Sequence, residues 1–305
     1  MQVLDHEEVR QRLSMGAAVD ALEVAILSGR IGRTPPRQHL HDGEQELLLM
    51  PSFLEGGATV KLVGIDPANP ARGLPRIQGV VVLFEGPGLS PSAVLDAAAL
   101  TGLRTAAVSG LSTRYLARPD SERLVIIGAG PQAYAHLDAM VAVAPIREVR
   151  VVTRRREPAD RLAQHARTVY GLSAEVAGAD AVAGADLVCA CTTSPTPVFD
   201  GAALPAGVHI NAVGSYRPDL QELDVATVRA CRVVVEDRDA ALRESGDLVQ
   251  AAVAGWDPAS ISADLEEVVR GRVPVRTSAQ DRTLFDSVGL AYEDLIIAES
   301  VLRAG

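Results

Sequence analysis

Residues 123–144 read RLVIIGAGPQAYAHLDAMVAVA, and the fold turns on this stretch. Its first part is a short continuous apolar run that ends in glycines, the pattern of a strand buried on both faces. Its second part has the periodicity of a helix. Gly128, Gly130 and Ala133 fall at the G-x-G-x-x-A spacing of a dinucleotide-binding turn. In such a turn the first glycine makes the tight bend and the second lets the backbone approach a pyrophosphate. The third small residue lets helix and strand pack closely, which leaves the phosphates at a helix N-terminus. The spacing by itself is a weak signal. The strand before it, the helix after it and a second strand, EVRVVTRR at 148–155, at the expected distance make it specific.

Downstream, ADLVCACTTS, GVHINAVGS and CRVVVEDR continue the series of short apolar runs, each preceded by helical or loop sequence. Strands alternating with helices imply a parallel sheet covered on both faces. The end of the second strand reports on the cofactor. An acid there would bond the ribose 2′-hydroxyl of NAD, but this chain carries Arg154, Arg155 and Arg156. Arginines fit a 2′-phosphate, so NADPH is expected over NADH, with NADH as the alternative; Glu157 comes too late in the turn to reverse this.

Upstream of residue 123 lies more than a third of the chain, which must form a separate unit. QELLLMPSF, GATVKLVGI and IQGVVVLFE read as three strands joined by Gly and Pro loops, followed by a helical run from Ser92 to Ala117. The C-terminal YEDLIIAESVLRAG reads as an amphipathic helix that returns to this first unit. The expected architecture is α/β: a Rossmann-type dinucleotide-binding domain over 114–287, and a discontinuous α+β substrate-binding and dimerisation domain over 1–113 and 288–305.

Within GATVKLVGI stands Lys61, the sole lysine among 29 basic residues. A compact ammonium in an apolar, β-branched run needs a partner or a ligand. Arg37, in TPPRQHL, and Arg104, in TGLRTAAVSG, are also cations in non-surface contexts. Three cations without acids in the same segments suggest an anion site, most simply for a substrate carboxylate. The competing account pairs each with a distant Asp or Glu.

A net charge of −10 argues against a nucleic-acid footprint. The N-terminus opens with charges and no apolar run is long enough to span a bilayer, so a cytoplasmic protein without membrane contact is expected. Cys189, Cys191 and Cys231 show no metal-ligand spacing and read as small core residues. The six histidines show no zinc-type pairing, and no metal is expected.

The stretches LLLMPSF, VKLVGIDPANPARGLP, LDAAALTGLRTAAVSGLSTRYLARPD, IIGAGPQA, CTTSPTPVF, INAVGSYRPDLQELD and TLFDSVGLAYEDL together resemble the ornithine cyclodeaminase/mu-crystallin family, in the family's order and over most of the chain. The resemblance implies a homodimer whose first domain supplies the substrate site and the dimer interface, with Arg37, Lys61 and Arg104 on the substrate carboxylate. It implies dinucleotide contacts at Gly128, Gly130, Pro131, Gln132 and Ala133, at Arg154 with Arg155, and at Thr105, Thr192, Thr193, Val213, Gly214, Ser287 and Gly289. The family's cyclodeaminases carry a catalytic Asp two residues after the glycine of the VGS motif, where this chain has Tyr216. A phenol is a poor base near neutral pH but still donates a proton or a hydrogen bond. They also carry a Glu where this chain has Leu48. Both departures resemble the ketimine reductases of the family, which reduce cyclic imino acids, with Lys61, Tyr216 or a water as proton source. The rival expectations are a dehydrogenase or deaminase of an open-chain amino acid and a noncatalytic binding protein.

Overall fold

The computed structural model describes residues 1–32 and 35–305. It divides the chain into two compact units, Met1–Thr105 with Leu290–Gly305, and Ala106–Gly289. These borders differ from 113/114 and 287/288, because the helix that ends the first unit runs on without a break into the second. No proline or capping signal marks the crossing at Thr105/Ala106.

The first unit is built on a six-stranded sheet. In chain order its elements are β1 (Gln2–Leu4), α1 (His6–Arg12), α2 (Met15–Ser28), β2 (Gln38–Asp42), β3 (Gln45–Leu54), β4 (Gly57–Ile65), β5 (Ile77–Glu85), β6 (Ser90–Asp96) and α3 (Ala97–Leu116). The strand order is β1-β6-β5-β4-β3-β2, antiparallel except for β1 beside β6. SPSAVLD is therefore a strand and not the start of the helix. It pairs with β5, and the Asp96 carboxylate then accepts the Ala99 N–H at 2.7 Å, capping α3.

Strands β3 and β4 alternate strictly, so each shows one buried face. Glu46, Leu48, Met50 and Ser52 share that face with Thr59, Lys61 and Val63. The C-terminal helix, Ala291–Arg303, packs on β3, β4, β5 and α2. It is buried on most sides rather than amphipathic, with Glu293, Asp294 and Glu299 among its buried residues.

The second unit is an eight-stranded parallel sheet. Its elements are β7 (Arg123–Ile127), α4 (Pro131–Val143), β8 (Glu148–Val152), α5 (Arg156–Tyr170), β9 (Ser173–Ala177), β10 (Leu187–Ala190), β11 (His209–Ala212), α6 (Val225–Ala230), β12 (Arg232–Val235), α7 (Arg238–Glu244), α8 (Gly246–Val253), β13 (Ala263–Asp264), α9 (Leu265–Val269) and β14 (Thr283–Asp286). The order is β13-β12-β14-β11-β10-β7-β8-β9, every pair parallel. The winding reverses between β7 and β10, the switch point beside which such sheets bind dinucleotides. Val125, Val188, Ile210, Val233 and Leu284 contribute to the core under one face, with Phe199 and Trp256 packed among them.

Candidate active site

In the first unit Lys61 lies mid-strand between Met50 of β3 and Val81 of β5, only 2% exposed. Its Nζ is 2.9 Å from Oδ2 and 3.1 Å from Oδ1 of Asp294, which is itself fully buried. Arg104, on α3, donates from Nη1 to Glu293 Oε2 at 3.0 Å, and its Nε lies 3.4 Å from Asp294 Oδ1. Two cations and two carboxylates thus form one buried network. Lys61 and Arg104 do have acid partners, contrary to what their own segments suggest, because a desolvated charge without one is too costly. The partners enter from the other end of the chain.

Burial is the largest influence on Lys61 and lowers its pKa to about 8, working against the attraction of Asp294. The charges of Arg104 and Arg37 push in the same direction as burial. Arg37 is half-buried just ahead of β2. Leu48, one strand over and two residues from Met50, is buried on the same face as Lys61. Thr105, next to Arg104, has a buried hydroxyl with no hydrogen-bond partner among the described residues.

In the second unit the glycine turn has the form a dinucleotide requires. Gly128 sits at φ +112°, and a Cβ there would come within 2.6 Å of the Cys191 carbonyl oxygen at the end of β10. Gly130 is the exposed N-cap of α4 and supplies no side chain to it, leaving the thirteen-residue helix with N–H groups for an anion. Pro131 is exposed and Gln132 half-buried, while Ala133 is fully buried where helix meets strand. These residues fit a pyrophosphate. Past β8, Arg154 and Arg155 are exposed and form no ion pair among the described residues, whereas Arg156 is occupied by Asp160.

The remaining loops are pinned by acids that no sequence motif marks. Glu222 accepts the Thr192 N–H at 2.5 Å and the Gly214 N–H at 2.6 Å, tying the end of β10 to the end of β11. A Cβ on Gly214 would overlap the Thr192 carbonyl, so this close approach admits only glycine. Val213 donates to the Ala190 carbonyl at 3.1 Å, and Thr193 is exposed. Asp247 in turn accepts from the Glu222 and Leu223 N–H groups and from the Ser215 hydroxyl. Burial, reinforced by the Asp247 charge, pushes Glu222 up to about 8, and burial pushes Asp247 up to about 6. Glu236, just past β12, holds the Ser287 hydroxyl at 2.6 Å and the Gly289 N–H at 2.7 Å. Tyr216 lies two residues beyond Gly214, half-buried in the loop that follows β11. Of the three cysteines only Cys189 is a core residue, its thiol pushed up to about 12 by burial, while Cys191 and Cys231 are half-buried. For Glu236 the signal was an acid directly after an apolar strand, in VVVED; Glu222, in the loop after β11, and Asp247, in the first turn of α8, carry no such mark.

The model of the ornithine cyclodeaminase/mu-crystallin family matches residues 1–303. A Δ1-pyrroline-2-carboxylate reductase of Bacillus cereus is 38% identical over 309 residues, 98% of this chain and 95% of that protein. The structure of Thermococcus litoralis Δ1-pyrroline-2-carboxylate reductase in complex with NADH and L-proline superposes with a TM-score of 0.95 at 33% identity, covering 100% of this chain and 97% of the other. An archaeal alanine dehydrogenase dimer with bound NAD superposes with a TM-score of 0.94 at 33% identity, covering 100% and 95%. The chain belongs to the ornithine cyclodeaminase/mu-crystallin family and is an oxidoreductase within it. Among the described residues no helix is long and apolar enough to cross a membrane.

Proposed function

We propose that this oxidoreductase reduces a cyclic 2-carboxy ketimine, Δ1-pyrroline-2-carboxylate or Δ1-piperideine-2-carboxylate, to L-proline or L-pipecolate, with NADPH as the preferred reductant. A nicotinamide held by the second unit would supply the hydride that such a reduction needs. The chain's own contribution begins with Lys61, Arg104 and Arg37, which hold the substrate carboxylate as charge-assisted donors. The ring nitrogen must carry a proton when C2 accepts the hydride, since the iminium is the stronger acceptor. Lys61, Tyr216 or a water they hold supplies it. Gly128, Gly130 and Ala133 cradle the pyrophosphate, and Arg154 with Arg155 receives the 2′-phosphate.

The observation that carries the substrate assignment is Leu48. It stands on the same buried face as Lys61, beside Met50, so a ligand held there meets aliphatic side chains where a diamine substrate would need a carboxylate. Glu46, the next carboxylate along that face, is engaged by His39. Tyr216, in place of an acid, supports the same reading.

The test compares oxidation of NADPH and of NADH with each of the two imines, beside an ammonia assay on L-ornithine with NAD+. Rapid imine-dependent oxidation, faster with NADPH and weakened by Arg154→Ala, is expected, with no ammonia released. Ammonia from ornithine would overturn the substrate assignment. The likeness to the archaeal alanine dehydrogenase favours a second reading, reductive amination of an open-chain 2-oxo acid, which turnover of pyruvate plus ammonia would reveal.

We further propose a homodimer. Leu40, Leu47, Phe53 and Val80 lie on the opposite face of the first unit's sheet from Lys61 and are exposed. A contiguous apolar sheet face of this kind marks a protein interface.

A further inference from the structure

Further along the sheet face that carries Lys61, and outside its ion network, the β2–β3 hairpin gathers His39, His41 and Glu46 so that one ligand atom from each lies within 4.8 Å of the others. The spacing of the two histidines along β2 puts both imidazoles on one face of the strand. The hairpin register then sets His41 opposite Glu46 and His39 opposite Leu48, so the carboxylate arrives on that same face. His39 Nδ1 lies 2.5 Å from Glu46 Oε1, and the two rings are 6.1 Å apart and 8° from parallel. No zinc pattern stands in the sequence because the third group comes from across the hairpin, not from a spacing along the chain.

We propose that this hairpin is a binding site for a single divalent transition-metal ion of borderline softness, of the zinc class. Two imidazoles and a carboxylate are the ligand types such ions take, and a set of three leaves a further position for water. Bonds of about 2.0–2.2 Å place neighbouring ligand atoms of a tetrahedral site roughly 3.4 Å apart. Rotation about the side-chain torsions of the exposed histidines closes the remaining gap without moving the strands. The position is open to solvent on one side: a cavity of about 540 Å³ is lined by His41 and Glu46 among others, so an ion has a route in. The Asp66 carboxylate in the same cavity is taken by Gln45 and Arg72 and is not a ligand.

The experiment uses the full chain without an affinity tag, stripped with a chelator and titrated with Co2+, reading its visible absorption, then displaced with Zn2+. One equivalent should bind, with the bands of a four-coordinate ion. The affinity should fall by about tenfold or more in His41→Ala and in Glu46→Gln, since losing even a group that merely supports a ligand costs that much. His41 is exposed and its replacement leaves the core untouched, and melting temperatures without metal serve as the check on folding. The wild type should also gain thermal stability from Zn2+ where the variants do not. Absence of saturable binding, or equal binding in wild type and both variants, would overturn the proposal.

Discussion

Burial brings Lys61 down to about 8, so the ammonium proposed to hold a substrate carboxylate starts to lose its proton a little above neutral pH. The charged form is complete well below that value and disappears above it, so kcat/KM for a ketimine should decline as pH rises past about 8. Asp294 is the charge that opposes the decline. Replacing it in Asp294→Asn removes the attraction, and the alkaline limb should move to lower pH in a pH profile of kcat/KM. A limb that stays where it was would separate Lys61 from the reaction. The harsher Asp294→Ala should also cost about 3–5 kcal/mol of stability, the usual consequence of stripping one member from a buried ion network. Lys61 and Arg104 were legible in the sequence as cations in apolar surroundings. That Glu293 and Asp294 are their partners was not, because pairing across more than 180 residues leaves no local trace.

At the scale of elements, what could be read was periodicity, and what could not was capping and pinning. The β7 turn and α4 announced themselves through their glycines. Strand β6 was hidden because SAVLD runs straight into a helix, and its identity depends on pairing with β5. Strand β2 was hidden because all five of its residues are exposed, so no apolar alternation marks it. The acids that fix the loops of the second unit carry a pH dependence. Glu222 and Asp247 are both raised above ordinary carboxylate values, so the folded state binds protons that the unfolded chain has released. Their contribution to stability is complete below the unfolded carboxylate range and is lost as pH climbs through about 8. Glu222→Gln should flatten that loss, measured as melting temperature from about pH 5 to about pH 9. A slope equal to that of the wild type would show that Glu222 does not titrate in this range.

At the scale of the whole molecule, the division into a parallel sheet that carries the glycine turn and a separate sheet that carries Lys61 was visible from where that turn falls. The border was not, since α3 passes through it. The proposed dimer belongs to this scale. Introducing charges by Leu47→Glu with Phe53→Glu on the exposed sheet face should halve the mass measured by light scattering while leaving the helix and strand content unchanged. A dimer that survives both substitutions would place the interface elsewhere.

The solitary lysine has a consequence of a practical kind. An acylating reagent that attacks primary amines finds only two on this chain, the N-terminus and Lys61, and the second is sealed behind the C-terminal helix and reserved by Asp294. The folded protein should take up one label, at the exposed N-terminus, and almost nothing at Lys61. Whatever label does reach Lys61 then counts the occasions on which that region opens to solvent, turning one residue into a built-in gauge of local unfolding.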